Sequence, residues 1–327
     1  MADARGILII AERSDTGAAA ITAELAGAAQ QLAPAVGGDV SAAVCAESGS
    51  QAPGEVAKLG VKKVYSVEHA SLKGFQIEAH LAALEQVIKQ ANPRVVLLGK
   101  TVQGRDLGPR LAFRVGGGLA QDCVELGWEA NALQAVRPVY GGASQARVKV
   151  ATTPAFATIR PKAFEPAAGG AAEVLKVAAS LDNIGPVAKL VSKAKQESTG
   201  IRLEDAKIVV SGGRGLGGPE PFKLLHEVAS AMGGAVGASR AACDAGWVPY
   251  PYQIGLTGKS IGADLYIAVG ISGASQHLAG ISGVKNIVAV NKDGEANIFK
   301  EARYGVVGDW NKVMPAFLQA VKELVGN

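Results

Sequence analysis

Four histidines are spread along the 327 residues, and one of them stands where an apolar run hands over to a glycine-rich turn. Leu265-Tyr266-Ile267-Ala268-Val269 is followed directly by Gly270-Ile271-Ser272-Gly273-Ala274-Ser275-Gln276-His277. Open α/β sheets bind ligands outside the carboxyl ends of their strands, so His277 is the histidine expected at a site. His69 falls in a polar loop, His80 beside an apolar helical stripe and His226 in mid-helix, positions that read as structural or solvated. A second turn, Ser211-Gly212-Gly213-Arg214-Gly215-Leu216-Gly217-Gly218, holds a formal G-x-G-x-x-G at Gly213, Gly215 and Gly218. A strand precedes it and a helix follows, the context in which backbone N–H groups face a pyrophosphate; the bland alternative is a turn that merely needs glycine. A classical NAD site also wants an acidic residue ending the next strand, where this chain has Ser239-Arg240, although Arg240 is readable as a 2′-phosphate contact. A third turn, Gly255-Leu256-Thr257-Gly258-Lys259-Ser260, ends like a Walker loop, but Gln253 stands where the first glycine belongs and Pro249-Tyr250-Pro251-Tyr252 replaces the strand. No H-E-x-x-H and no triad arrangement accompanies these turns, so hydrolytic and metal-assisted chemistry lack support.

The elements that position these residues follow from periodicity. Apolar runs at 7–11, 40–45, 64–67 and 95–99 alternate with helical spacing at 18–32 and 77–91, which predicts βαβ units and a parallel sheet. Ile77, Leu81, Leu84 and Ile88 recur on one helical face, which should pack on that sheet. Between residues 123 and 160 the runs shorten to 135–139, 147–150 and 155–160, split by Gly141-Gly142 and Thr153-Pro154, and read as added antiparallel strands. Residues 161–205 turn rich in Ala, Gly, Lys and Ser, which places a domain boundary near Lys195, giving domains 1–194 and 195–327. A second α/β series follows, with strands at 207–211, 235–238, 265–270 and 287–291, a helix at 219–232 and a closing helix at 313–325. The second domain therefore reads as doubly wound.

Composition narrows the class. Glycine, at 42 of 327, is near twice its usual share of about 7%, and the formal charge is only +4. No basic block with interleaved aromatics occurs, so nucleic acid is not an expected partner. Cys45, Cys123 and Cys243 form no C-x-x-C and no even disulfide set, which fits a reducing compartment and excludes structural zinc. The N-terminus shows no leader pattern, and 265–284, though uncharged, carries too many Gly and polar residues for a membrane helix; a cytoplasmic protein is expected.

The runs 265–280 and Ile287-Val288-Ala289-Val290-Asn291-Lys292-Asp293, with Ser211-Gly212-Gly213-Arg214-Gly215, Gly237-Ala238-Ser239-Arg240-Ala241-Ala242, Asp244-Ala245-Gly246 and Thr257-Gly258-Lys259, closely resemble the alpha subunit of the electron transfer flavoproteins. Gly104-Arg105-Asp106-Leu107 and Arg160-Pro161 extend the resemblance into the first domain. It implies an electron carrier rather than a substrate-converting enzyme, with FAD on the second domain near an interface with a beta subunit. It implies donors of the acyl-CoA dehydrogenase type, as in fatty acid β-oxidation, and a membrane-linked quinone oxidoreductase as acceptor. In the family Arg240 would lie against the isoalloxazine, Thr257 would bond flavin N5 and His277 would approach the C2 carbonyl. Arg214 and Ser239 would stand nearby, and Asn291 and Asp309 would contact the adenosine part. Gly215, Gly258, Ser272, Gly273 and Gln276 from the same runs, with Gln253, complete the candidate contacts. Leu256 departs from the family, which usually has glutamine before the threonine. The chemistry agrees, because charge and hydrogen-bond donors beside a flavin tune its electronics. Two other readings compete: an adenine-nucleotide binding or regulatory module, and an NAD(P) dehydrogenase. An FAD-bifurcating variant coupled to NADH is also open.

Overall fold

A computed structural model describes residues 4–14, 17–142, 144–181, 184 and 201–326. The chain forms two compact units, Met1–Val139 with Gln145–Lys193, and Tyr140–Ser144 with Ala194–Asn327. The boundary expected near Lys195 lies outside the described residues.

In the first unit β1 (Ile7–Ile10), β2 (Val40–Ala46), β3 (Lys63–Glu68), β4 (Val95–Gly99) and β5 (Gly118–Cys123) belong to one sheet. β6 (Glu125–Glu129), β7 (Ala132–Val139) and β8 (Ser144–Val150) form a separate three-stranded sheet in which β6 and β7 run antiparallel. β9 (Ala155–Ile159) and β10 (Glu173–Lys176) return to the first sheet, whose order is β10-β3-β2-β1-β4-β9-β5 with every pairing parallel. The expectation that 155–160 would be antiparallel is corrected here. Ala155, Phe156, Ala157, Thr158 and Ile159 are all buried, as befits an inner parallel strand covered on both faces. Helices α1 (Ala20–Val36), α2 (Ala52–Val56), α3 (Ile77–Ala91) and α4 (Val102–Arg114) supply the cover. Successive β1 residues show the division: Ile7 and Ile9 pack in the core that holds Leu25, while Leu8 and Ile10 pack in the core with Leu81 and Leu84. Each such side chain contributes about 1.5–3 kcal/mol by leaving water.

At the crevice between β1 and β4, where the strand order reverses, the unit's own residues pack against one another. A Cβ at Gly104 would lie 1.9 Å from the Gly99 carbonyl oxygen, so α4 is seated on the end of β4. Thr101 caps α4, accepting from Gly104 N, and its hydroxyl donates to Glu12 Oε1 at 2.7 Å. Burial pushes the Glu12 carboxyl up to about 7, against the hydrogen bond from Thr101. The folded state therefore holds a proton that the unfolded chain releases near 4.5, and stability falls as pH rises from there through about 7. Glu12→Gln keeps the acceptor and removes the titration. Urea unfolding should then show this slope flattened, with a gain of at most about 3 kcal/mol at pH 8 and none at pH 4. An unchanged pH profile would show that Glu12 is solvated.

The second unit contains β11 (Ile208–Gly212), β12 (Ala235–Ala238), β13 (Leu265–Val269), β14 (Ile287–Asn291) and β15 (Tyr304–Val307), all parallel in the order β12-β11-β13-β14-β15. Counted within the unit this is 2-1-3-4-5, a doubly wound order whose switch point falls between β11 and β13. α5 (Phe222–Ala231) and α9 (Trp310–Val325) supply Leu225, Val228, Met314 and Leu318 to the core on one face. On the other, α7 (Ser275–Ile281) and α8 (Ile298–Glu301) supply Ile281 and Ile298; α6 (Arg240–Asp244) is a single short turn. The buried stripe of α9 is Met314, Leu318 and Val321, whereas Leu324 at its end is exposed. No described helix is long and apolar enough to cross a membrane.

Candidate functional site

Two glycine turns meet at the switch point. Gly213 N donates to the Val269 carbonyl and Gly215 N to the Gly270 carbonyl, each at 2.9 Å. A Cβ at Gly213 would lie 2.2 Å from Gly270 O, and one at Gly215 2.8 Å from the same atom. Gly270 itself has φ +64°. Gly213 and Gly215 of the formal G-x-G-x-x-G are thus needed first for one turn to lie against the other, the structural share of a motif read as phosphate-binding.

Beside this crossing opens a cavity of about 650 Å³, a size ordinary for a small-molecule site. Arg214, Gly215, Ser272, Gln276 and His277 line it from the two turns and from α7, and Asn291 lines it from the end of β14. Ser239 and Arg240 enter from the start of α6, while Gln253 and Thr257 enter from the loop before β13. Gly258, Gly273 and Asp309 are not in the lining. Gly258 backs the loop, since a Cβ there would meet Gln253 O at 2.5 Å; Gly273, φ +78°, lies against the backbone of Ile298; and Asp309 caps α9, accepting from Asn311 N at 3.0 Å.

The polar groups are fixed by the fold. Ser239 N donates to the Gly212 carbonyl at 3.0 Å, while its hydroxyl is buried without a hydrogen-bond partner. Arg240 is 67% exposed, and its Nε reaches Asp244 Oδ2 at 3.3 Å; Tyr250 donates to the other Asp244 oxygen at 3.1 Å. Gln253, buried, donates from Nε2 to Thr257 Oγ1 at 2.9 Å, which leaves the threonine proton free to donate. Leu256 is 65% exposed, and its backbone N donates to Gln276 O at 2.7 Å. Asn291 uses its side chain internally, donating to Ile271 O and accepting from Asp293 N. His277 is 6% exposed, and burial drives its pKa down to about 4, the Ile254 carbonyl opposing that shift. It is therefore neutral at pH 7. Its Nε2 lies 2.7 Å from the hydroxyl of Tyr266, a residue the sequence reading placed in a strand and gave no role at the site. Among the described residues no group of His, Cys, Asp and Glu is arranged to hold a metal.

A doubly wound parallel sheet, a glycine crossing at its switch point and a cavity there with two buried, unpaired polar atoms, Ser239 Oγ and His277 Nδ1, define a class, the α/β proteins that bind nucleotide cofactors. Within that class, the chain belongs to the electron transfer flavoprotein alpha-subunit family. Residues 7–182 match the electron transfer flavoprotein domain and residues 202–282 the electron transfer flavoprotein FAD-binding domain. The chain is 39% identical to the electron transfer flavoprotein subunit alpha of Thermoanaerobacterium thermosaccharolyticum, over 99% of this chain and 100% of the other. It is 41% identical to that of Bacillus subtilis over 88% and 89%, and 36% identical to Protein FixB of Clostridium saccharobutylicum over 99% and 98%. The second unit is accordingly an FAD-binding domain and the protein an electron-carrying flavoprotein. Membership of an alpha-subunit family implies a beta-subunit counterpart.

Proposed function

We propose that the protein, paired with a beta subunit in the cytoplasm, takes electrons from flavin dehydrogenases of the acyl-CoA type and passes them to a membrane-linked quinone oxidoreductase. The observation that carries the site assignment is the convergence of Arg240, Thr257 and His277 on one cavity at the switch point. FAD, when bound, supplies the capacity to accept and release electrons. Arg240 adds a positive charge at the rim. Thr257, whose oxygen accepts from Gln253, keeps its hydroxyl proton free to donate. His277, neutral, brings a polar ring to the wall and no charge. Arg214, Gly215, Ser239, Ser272 and Gln276 line the space that positions the cofactor, with Asn291 at its β14 end. The similarity to Protein FixB, close to that to the alpha subunits, favours one second reading, an FAD-bifurcating form coupled to NADH.

The test is to purify the coexpressed heterodimer, count its flavin and reduce it in turn with acyl-CoA plus an acyl-CoA dehydrogenase and with NADH. One FAD per heterodimer, reduced through the dehydrogenase only, supports the proposal. Two FAD and reduction by NADH favour the second reading. Because the rim residues are exposed, the chain expressed alone should hold FAD well below one equivalent and reach full loading with its partner. A fully loaded, monodisperse single chain would contradict that expectation.

A further inference from the structure

Among the described residues Tyr266 is the largest fully buried side chain of the second unit, 0% exposed at the second position of β13, and its hydroxyl is placed to bond His277 Nε2 at 2.7 Å. A phenylalanine would fill the same space, so the hydroxyl calls for an account of its own. Tyr266 is absent from the cavity lining, whereas His277 lines it. The two groups share two protons among three atoms: the phenol oxygen, Nε2 and Nδ1. Burial raises the phenol pKa far above its usual range and lowers that of the imidazole, so each group carries one proton at pH 7. Only two arrangements keep the 2.7 Å contact. In one, Tyr266 donates to Nε2 and the imidazole proton sits on Nδ1. In the other, Nε2 donates to Tyr266, and Nδ1 presents a bare lone pair in a buried position where the Ile254 carbonyl lies close enough to favour a proton on the ring. Two facing lone pairs repel in a buried site, so the first arrangement prevails.

We propose that Tyr266 is a positioning residue of the FAD site, holding His277 through Nε2 in the Nδ1-protonated form so that the imidazole meets the flavin as a neutral ring in one fixed orientation. The inference rests on the assignment of His277 to the flavin cavity. A tyrosine in this role fixes both the ring orientation and the tautomer of the histidine, as a carboxylate or carbonyl does elsewhere. Ser211, on β11 and on the same side of the sheet as Val209, has a buried hydroxyl without a hydrogen bond of normal geometry; it opposes part of the rise in the phenol pKa.

The experiment uses the FAD-loaded heterodimer labelled with ¹⁵N-histidine, with the His277 signals identified by their loss in His277→Gln. The unmodified protein should show a pyrrole-type nitrogen at Nδ1 and a pyridine-type nitrogen at Nε2, told apart by their couplings to the ring protons. Tyr266→Phe removes only the hydroxyl. It should move both signals toward the averaged values of mixed tautomers and shift the oxidised-to-reduced ratio of bound FAD against a reference dye at least threefold toward the oxidised form. That is about 30 mV, at about 59 mV per tenfold for one electron. An Nε2-protonated His277 in the unmodified protein overturns the proposal even if Tyr266→Phe fails to fold. An unchanged nitrogen pattern and dye equilibrium in a folded Tyr266→Phe also overturns it. If His277→Gln itself leaves the dye equilibrium unchanged, the assignment of His277 to the flavin fails, a result distinct from the failure of Tyr266 alone.

Discussion

Arg240→Ala lowers the reduction potential of the bound FAD by about 30–60 mV for the first electron, with FAD still bound. A unit charge near contact distance interacts with about 4 kcal/mol at an effective dielectric of about 20, which is an upper figure. Arg240 is two-thirds exposed and shares its charge with Asp244, so solvent and that carboxylate reduce the effect to roughly a third. A remainder near 1.4 kcal/mol corresponds to about 60 mV for one electron. His277→Leu should act in the same direction and more weakly, because a neutral imidazole contributes a dipole and no net charge. Arg110→Ala is the control: in the first unit Arg110 pairs with Glu78 at 3.1 Å, and its loss should leave the flavin spectrum and potential alone. An Arg240→Ala protein that binds FAD and keeps the parent potential would show that the arginine packs without tuning.

Gly213→Ala should cost FAD affinity at least 100-fold, about 2.7 kcal/mol, and destabilise the second unit by roughly 2–4 kcal/mol. The methyl group would stand 2.2 Å from Gly270 O and 2.7 Å from Gly270 C, both backbone atoms that move only if the β13 turn moves. The turn that moves is the one carrying Ser272, Gln276 and His277. Gly217 offers the contrast. With φ +83° and nothing within 4 Å of its Cβ position, Gly217→Ala adds only the cost of a left-handed alanine, about 1 kcal/mol, and should keep FAD. Equilibrium dialysis and urea unfolding separate the two variants; equal affinities would show that the crossing of the turns does not shape the cavity.

The parallel sheets were legible because their inner strands are apolar on both faces, as in Ile7–Ile10, Val95–Gly99 and Leu265–Val269. The same pattern held in Ala155–Ile159, but the turn signals at Gly141-Gly142 and Thr153-Pro154 drew it toward its antiparallel neighbours. β10 and β15 passed unread. Glu173–Lys176 and Tyr304–Val307 are largely exposed edge strands, defined by backbone pairing to β3 and β14 and not by burial, so no period marks them. At the site, Ser239-Arg240, Thr257 and Gln276-His277 converge from the start of α6, the loop before β13 and α7, an arrangement implied by the family resemblance and not by periodicity. Spacing alone could not tell a glycine in the wall from one behind it, and Gly258 and Gly273 fall behind. Tyr266 was hidden because a tyrosine within an apolar strand reads as core. Only the 2.7 Å bond shows where its hydroxyl goes.

The central claim, that this chain holds FAD in the cavity between the ends of β11 and β13, is tested most directly by filling that cavity. Ser272 is exposed, its side chain makes no hydrogen bond among the described residues, and it lines the space, so Ser272→Trp blocks the site while sparing the core. Flavin released by denaturation should fall by one equivalent per heterodimer relative to the unmodified complex, with circular dichroism and subunit pairing unchanged. A folded Ser272→Trp heterodimer that retains its full FAD content would contradict the account.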